Sequence, residues 1–419
     1  FQPHLQALPL RYSMLSRQTL NRMRRIVYST LVFFPLAACI TPSVRALSIA
    51  DTAQIHGFFS QAAMITSRNN FFGKTENNVS LDFRELGINA SWRPLSRLQF
   101  SMQGTARWAG EAATGNPRLD YGFLDYSTLS DAKTVAGIRL GRVINPFGFY
   151  NETRDVTFTR PSIILPQSIY FDRTRDLAFS ADGLQLYATR SVDAGDFSLQ
   201  FNTVHPRISD SVERALLGTS LPGELNGELG LGGRLLYQRD GGKVKLGVSG
   251  VGLSLGYDST GTPNDLPGGS LNFNALYLSA EYSALKWTLT GEYALRNFKY
   301  HDFEPAIPNT DITGDSGYVQ LAYRFLERWE GMIRYDVLYT DRSDRNGKDF
   351  SELTGKPSFS RFAKDLTVGL RWDVTRYLML RGEFHYIDGT GWLPSDDNPD
   401  IFSTHRYWNL FALQLALRF

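Results

Sequence analysis

Ten charged side chains crowd the stretch between positions 139 and 176: Arg139, Arg142, Glu152, Arg154, Asp155, Arg160, Asp172, Arg173, Arg175 and Asp176. Arginine and carboxylate in this mixture can do two things. Facing each other across a water-filled gap, opposite charges set a transverse field that orders polar solutes and biases ion passage. In direct contact, the planar guanidinium fork holds a carboxylate and pins one segment of chain to another. Acid–base catalysis has thinner support. Glu383 and His385 share a face at period two, and His405 follows Ser403, yet a histidine near a strand end is usually an ordinary polar residue. No Gly-x-Ser-x-Gly elbow, His-Glu-x-x-His helix or phosphate-cradling glycine loop is present.

Most of these charges lie in residues 144–182, which read as the longest connection of the chain and its third external one. Connections of that length are functional or disordered. Disorder is excluded by Phe147, Phe149, Tyr150, Phe158, Ile163, Ile164, Leu165, Tyr170 and Phe171, too apolar for a solvated tail.

The elements around it are strands. Trp287, Leu289, Tyr293 and Leu295 alternate with Thr288, Thr290, Glu292 and Ala294, and Leu98–Trp108 reads the same way. Sixteen such segments are predicted, at 53–65, 79–92, 98–109, 119–128, 134–143, 183–191, 197–205, 231–239, 244–256, 271–283, 287–300, 317–325, 329–340, 364–372, 377–386 and 407–419. Their connections alternate between tight turns, such as Asp240–Lys243 and Leu326–Arg328, and long loops, such as 206–230 and 341–363. A soluble sandwich has no reason to keep that parity; a membrane barrel with short inner turns and long outer loops does. Trp287, Trp329, Tyr377 and Phe197 each follow a short turn, where an interfacial aromatic girdle would sit. The opposite face supplies a mixed set of wall charges: Arg107, Glu292, Arg334, Asp336, Asp365, Arg371, Arg381 and Glu383. These imply a polar lumen, and so rank passage of apolar substrates below that of polar ones.

Composition agrees. With 42% hydrophobic and 13% aromatic residues and a mean hydropathy of -0.25, the chain is too polar for a bundle of membrane helices. Beyond residue 46 there is no apolar run of the 18 or so residues a spanning helix needs. Arg22–Arg25, the apolar stretch Ile26–Ile40 and the small-x-small ending Val44-Arg45-Ala46 read as an export signal over 23–46, with 1–22 as upstream translation of no structural role. Leu36-Ala37-Ala38-Cys39 matches a lipoprotein box, a second way of processing the same leader. The leader holds six of the 44 basic residues and none of the 42 acidic ones, so the remainder is formally -4. With Cys39 removed no cysteine remains, which excludes disulfides and thiolate metal sites. The lack of a basic stripe excludes a nucleic-acid partner.

Two local matches carry a family resemblance. Phe411, Leu413, Leu415, Leu417 and Phe419 alternate to the last residue, an ending similar to the terminal strand of Gram-negative outer-membrane barrels. Gly141-Arg-Val-Ile-Asn-Pro-Phe-Gly148 resembles the Gly-x-x-x-x-Pro-Phe-Gly stretch that opens the third loop of phosphate-selective and related porins. The resemblance to the porin superfamily implies one all-β transmembrane barrel of about sixteen antiparallel strands over 47–419. It also implies that 144–182 folds inward to narrow the pore, that the chain trimerises in an outer membrane, and that small hydrophilic solutes pass without a cofactor. A phosphate preference is not carried over, because no lysine lies between Lys133 and Lys243. If the charges face water, neutralising Arg154, Arg160, Arg173 and Arg175 together shifts the reversal potential; if they pin the loop, it does not.

Overall fold

The computed structural model describes residues 47–50, 52–218 and 221–419. The export signal, the alternative lipid-attachment site at Cys39 and the segment ahead of them lie outside the described residues. A short strand, β1 (Leu47–Ala50), pairs with β2 (Ala53–Thr66). There follow β3 (Ser80–Leu95), β4 (Leu98–Ala109), β5 (Arg118–Ser130), β6 (Thr134–Ile144), β7 (Ser180–Val192), β8 (Gly195–His205), β9 (Glu224–Arg239) and β10 (Val244–Asp258). The wall is completed by β11 (Ser270–Ser283), β12 (Trp287–His301), β13 (Thr310–Leu326), β14 (Trp329–Tyr339), β15 (Phe362–Asp373), β16 (Leu378–Gly389) and β17 (Tyr407–Arg418). Every neighbouring pair from β2 to β17 is antiparallel, and β17 pairs back onto β2, so sixteen strands close a barrel without an edge.

Closure is built from aromatic rings laid over glycines. Phe419 exchanges backbone hydrogen bonds of 3.0 and 3.2 Å with Gly57, and its ring covers that residue so closely that a Cβ there would sit 2.2 Å from it. Phe58 covers Gly87 of the next strand at the same distance. Any side chain at Gly57 would displace the terminal ring and weaken the seam.

Outward positions carry the apolar set. Phe100, Met102, Leu140, Leu276, Leu278, Val319, Leu366 and Val368 are all exposed, each at the parity the alternation predicts. A 12-residue strand such as β4 rises about 40 Å, and a tilt of about 40° leaves roughly 30 Å of depth, enough for a hydrocarbon core. Trp92–Phe100, Phe197–Tyr237, Tyr282–Trp287 and Trp329–Trp372 pair across strands with ring centroids 4.9–5.5 Å apart, all close to short turns.

The parity of connections holds throughout: seven turns of two to four residues join strands at one end, and eight longer loops join them at the other. Predicted strands match observed ones except at two starts, where β9 begins at Glu224 and β13 at Thr310, seven residues ahead of expectation. Glu224–Gly230, with two glycines, and Thr310–Ser316, with one, are mostly polar, so they carry little alternation to read. Cross-strand pairing nonetheless continues through them.

Candidate functional site

The insert between β6 and β7, residues 145–179, folds into the barrel. Its two ends are stitched together. Asn145 Nδ2 donates to the Ala178 carbonyl at 3.1 Å, its Oδ1 accepts Asn202 Nδ2 at 2.9 Å, and Asn151 Nδ2 donates to the Asn145 carbonyl at 2.8 Å. The Pro-Phe-Gly turn matters next. Gly148 adopts φ +57°, and a Cβ there would meet the Tyr170 hydroxyl at 2.4 Å and Glu292 Oε1 at 3.0 Å.

That crowding exists because Glu292 gathers the turn. Its carboxylate accepts hydrogen bonds from the Phe149 N–H at 2.9 Å, Tyr170 Oη at 2.6 Å, Ser279 Oγ at 2.6 Å and Tyr318 Oη at 2.8 Å. Across the lumen Glu383 does the same for the far limb, accepting the Ile163 N–H at 2.5 Å and the Ile164 N–H at 3.3 Å. Arginines hold the carbonyls. Arg381 donates to the Thr157, Arg160 and Ser162 carbonyls at 3.1, 2.6 and 3.2 Å, and Arg334 donates to Ser162 Oγ and the Ile164 carbonyl at 2.9 and 3.1 Å. Asp336 accepts the Ser168 N–H at 3.4 Å. Arg371 is looser, bonded to Asp373 at 2.8 Å and reaching the Phe158 carbonyl at 3.5 Å. A buried charge with hydrogen bonds on every side is stable; stripped of them it is costly.

Apart from Arg173, which donates to Ser395 Oγ at 3.1 Å, the charges of the insert are likewise in contact rather than opposed across a gap. Glu85 of β3 bridges Arg107 at 3.2 Å and Arg160 at 2.8 Å. Asp172 meets Arg107 at 2.8 Å and Arg154 at 3.8 Å. Arg175 pairs with Asp155, Arg118 with Asp176, and Arg234 with Glu152 at 2.5 Å. Arg139 faces the lumen from the wall and holds Asp125 and Gln185, both at 2.9 Å. Arg142 departs from the predicted cluster. Two residues from the exposed Leu140 on an unbroken ladder, it takes the outward face and pairs there with Asp182 at 2.9 Å. Strand parity alone would have assigned it outward. The same parity would have found Glu85 and Arg234, partners that inspection of the loop by itself leaves out.

The histidine pairs do not assemble a catalytic constellation. His385 is 1% exposed and held between Asp365, 2.8 Å from Nδ1, and Glu383, 3.4 Å from Nε2, with Thr367 Oγ1 also on Nδ1 at 3.1 Å. A nucleophile needs the imidazole nitrogen left free by the orienting acid, and here both nitrogens face carboxylates. His405 contacts Arg68 at 3.0 Å, while Ser403 Oγ donates to the Asp400 carbonyl at 2.7 Å.

Above the insert, toward the long loops, the wall changes character. A cavity of about 350 Å³ opens there, floored by Phe147 and Ile169 of the insert, walled by Leu253, Phe273 and Phe298, and roofed by Leu216 of the helix Asp210–Leu217. The expectation of a charged or hydroxylated lumen holds for the clamped region and fails here. On β10, apolar residues occupy both faces, Leu246 and Val248 outward and Leu253 and Leu255 in the cavity. Alternation of polarity is therefore absent where the sequence would have had to reveal the cavity. The roof is tied down by Arg214, which grips Asp396 through two contacts of 3.1 Å and whose guanidinium is raised above its ordinary range by that pairing. Beside it the Asp397 carboxyl is pushed up by burial, against the Glu111 and Gly73 N–H groups that hold it at 3.1 and 3.3 Å.

A barrel of sixteen antiparallel strands with an inward third external loop defines the porin-type fold. No known family model and no curated protein sequence matches the chain. Solved structures do. The chain is similar to the outer membrane channel DcaP of Acinetobacter baumannii, with a TM-score of 0.57 at 12% identity over 90% of this chain and 100% of that one. It is also similar to the anion-selective porin from Comamonas acidovorans, at 0.56 and 12% over 88% and 98%. OprB of Pseudomonas putida gives 0.54 and 10% over 88% and 94%.

Proposed function

We propose that this protein is a channel of a Gram-negative outer membrane, exported by its N-terminal signal and assembled as a trimer, through which small solutes pass passively. The insert sets the bore. One observation carries the reading: residues 145–179 lie inside a closed barrel and are fixed there by wall side chains from several sides, with Glu292 and Glu383 as principal acceptors. An insert held that way narrows a passage without closing it by chain motion. Charge selectivity is weak in this reading, because the insert's acids are met by arginines at contact distance. No chemical step is assigned, since His385 is boxed in by carboxylates and His405 is committed to a contact with Arg68.

Reconstitution of the purified protein in planar bilayers tests the proposal. Small ohmic current steps, with a reversal potential near zero in a potassium chloride gradient, are the expected result. A folded barrel that never conducts, at any voltage up to membrane breakdown, sinks it.

A further inference from the structure

The cavity above the insert has a charge pattern unlike the rest of the lumen. Three arginines, Arg173, Arg296 and Arg361, reach its lining, and no carboxylate does among the described residues. None of the three has a carboxylate oxygen in salt-bridge contact. Arg173 donates to Ser395 Oγ at 3.1 Å, Arg296 to Ser316 Oγ at 2.8 Å, and Arg361 stacks on Phe350 at 4.5 Å. A guanidinium carries five N–H donors, so each retains most of its capacity. The nearby acids are held by other groups: Asp396 by Arg214 at 3.1 Å, Asp315 by Arg345 at 2.5 Å, Asp336 by the Ser168 N–H, and Asp341 and Asp344, whose charges act on Arg361 without salt-bridge contact, by the Ser343 and Phe350 N–H groups at 2.8 and 2.9 Å. Elsewhere in the lumen, Arg107, Arg160, Arg175 and Arg234 all contact an acid.

The walls around these donors are apolar and aromatic. A volume of about 350 Å³ lies within the range of small-ligand sites, and few convergent polar groups in an apolar pocket fix a ligand's orientation. Inorganic phosphate would leave the aromatic wall wet, and a neutral hydrocarbon would leave the guanidinium groups unanswered. We propose that the cavity binds small amphipathic carboxylates, an aromatic or branched aliphatic body with one carboxylate. The carboxylate engages Arg296, with Arg361 alongside, and the body packs on Phe273 and Phe298. The cavity then concentrates such solutes above the constriction. Their onward passage rests on the channel reading; their binding does not.

Binding is measured by calorimetry on the folded, detergent-solubilised protein, with phenylacetate, its neutral counterpart 2-phenylethanol, and inorganic phosphate as probes. Phenylacetate is expected to bind at least tenfold more tightly than either of the others. Arg296→Gln should weaken it about tenfold, and Arg361→Gln, in an external loop where folding of the barrel is not at stake, at least threefold. Phe298→Asn is expected to weaken phenylacetate and leave phosphate unchanged. Equal affinity for phenylacetate and 2-phenylethanol, tight phosphate binding, or full affinity in both arginine variants overturns the proposal. Phenylacetate binding by a barrel that does not conduct would retain this site and remove the channel. Conduction without phenylacetate binding would do the reverse.

Discussion

The lumen contains two kinds of arginine. Below, around the insert, Arg107, Arg160 and Arg175 are nearly fully buried and in contact with Glu85 or Asp155, while Arg381 caps three carbonyls. Above, Arg173, Arg296 and Arg361 border an apolar cavity with only hydroxyl or ring contacts. The same side chain is a rivet in the first place and an open receptor in the second. What differs is the company: acids and backbone acceptors stand within reach of one set, and leucine, phenylalanine and tyrosine surround the other. Counting charges along the sequence cannot separate the two.

The largest expected effect comes from removing the riveted region outright. Ile144 and Ser180 face each other across the β6–β7 ladder, so a short glycine-serine turn can replace residues 146–178 without straining the barrel. Conductance in planar bilayers should rise several-fold. A conductance unchanged by the excision would mean that ions never passed the insert, and the distinction between clamp and vestibule would lose its functional meaning.

Next in size is Glu383→Ala. It removes the carboxylate that accepts two backbone N–H groups of the insert and leaves Arg381 and His385 in a buried site with one acid fewer. Breaking a buried, hydrogen-bonded charge set costs about 3–5 kcal/mol, so thermal unfolding followed by circular dichroism should shift down clearly. Open-channel current noise should grow as the 157–164 limb loosens. Arg361→Gln, on the cavity side, should do neither.

The four-arginine neutralisation now divides. Arg154→Gln, Arg160→Gln and Arg175→Gln each unsettle a contact network, so their combined effect should fall on stability, with little change in reversal potential. Arg173→Gln alone touches an arginine without an acid in contact, and should move the reversal potential toward cation preference by a few millivolts, an order-of-magnitude expectation for one partly screened charge. The opposite assignment would exchange the roles of the two regions.

Much of this architecture was legible because period two and connection length are independent signals that agree. The seam at Phe419, the short turns and the third external loop all follow from them. The inward wall charges followed as well, since Glu292 and Glu383 sit at the right parity on strongly alternating strands. Arg142 was misplaced because its closeness to the loop outweighed its parity with Leu140. The cavity was invisible for a different reason. On β10–β12 the inner residues Leu253, Phe273 and Phe298 are as apolar as the outer ones, so hydropathy does not distinguish the face that meets lipid from the face that meets a solute. Whether a given arginine finds a carboxylate depends on contacts more than a hundred residues away in sequence, as with Arg381 and the insert, and those no local pattern encodes.

The smallest expected effect tests the rim that joins the two regions. Asp397 fastens the β16–β17 loop to Gly73 and Glu111, and its carboxyl is held above the usual range by burial. A folded-state value raised above the unfolded one means that the folded loop holds its proton longer. Its stabilisation is therefore full at low pH and declines as pH rises through the unfolded and then the folded value. The loop should thus be cut faster by a protease at a pH above the folded value of this carboxyl than at one below its unfolded value, once intrinsic protease activity is corrected for. Asp397→Asn, which cannot ionise, should flatten that dependence without changing phenylacetate affinity. Loss of affinity in this variant would show that the rim and the cavity form a single unit, and the boundary between riveted wall and open vestibule would have to be drawn lower.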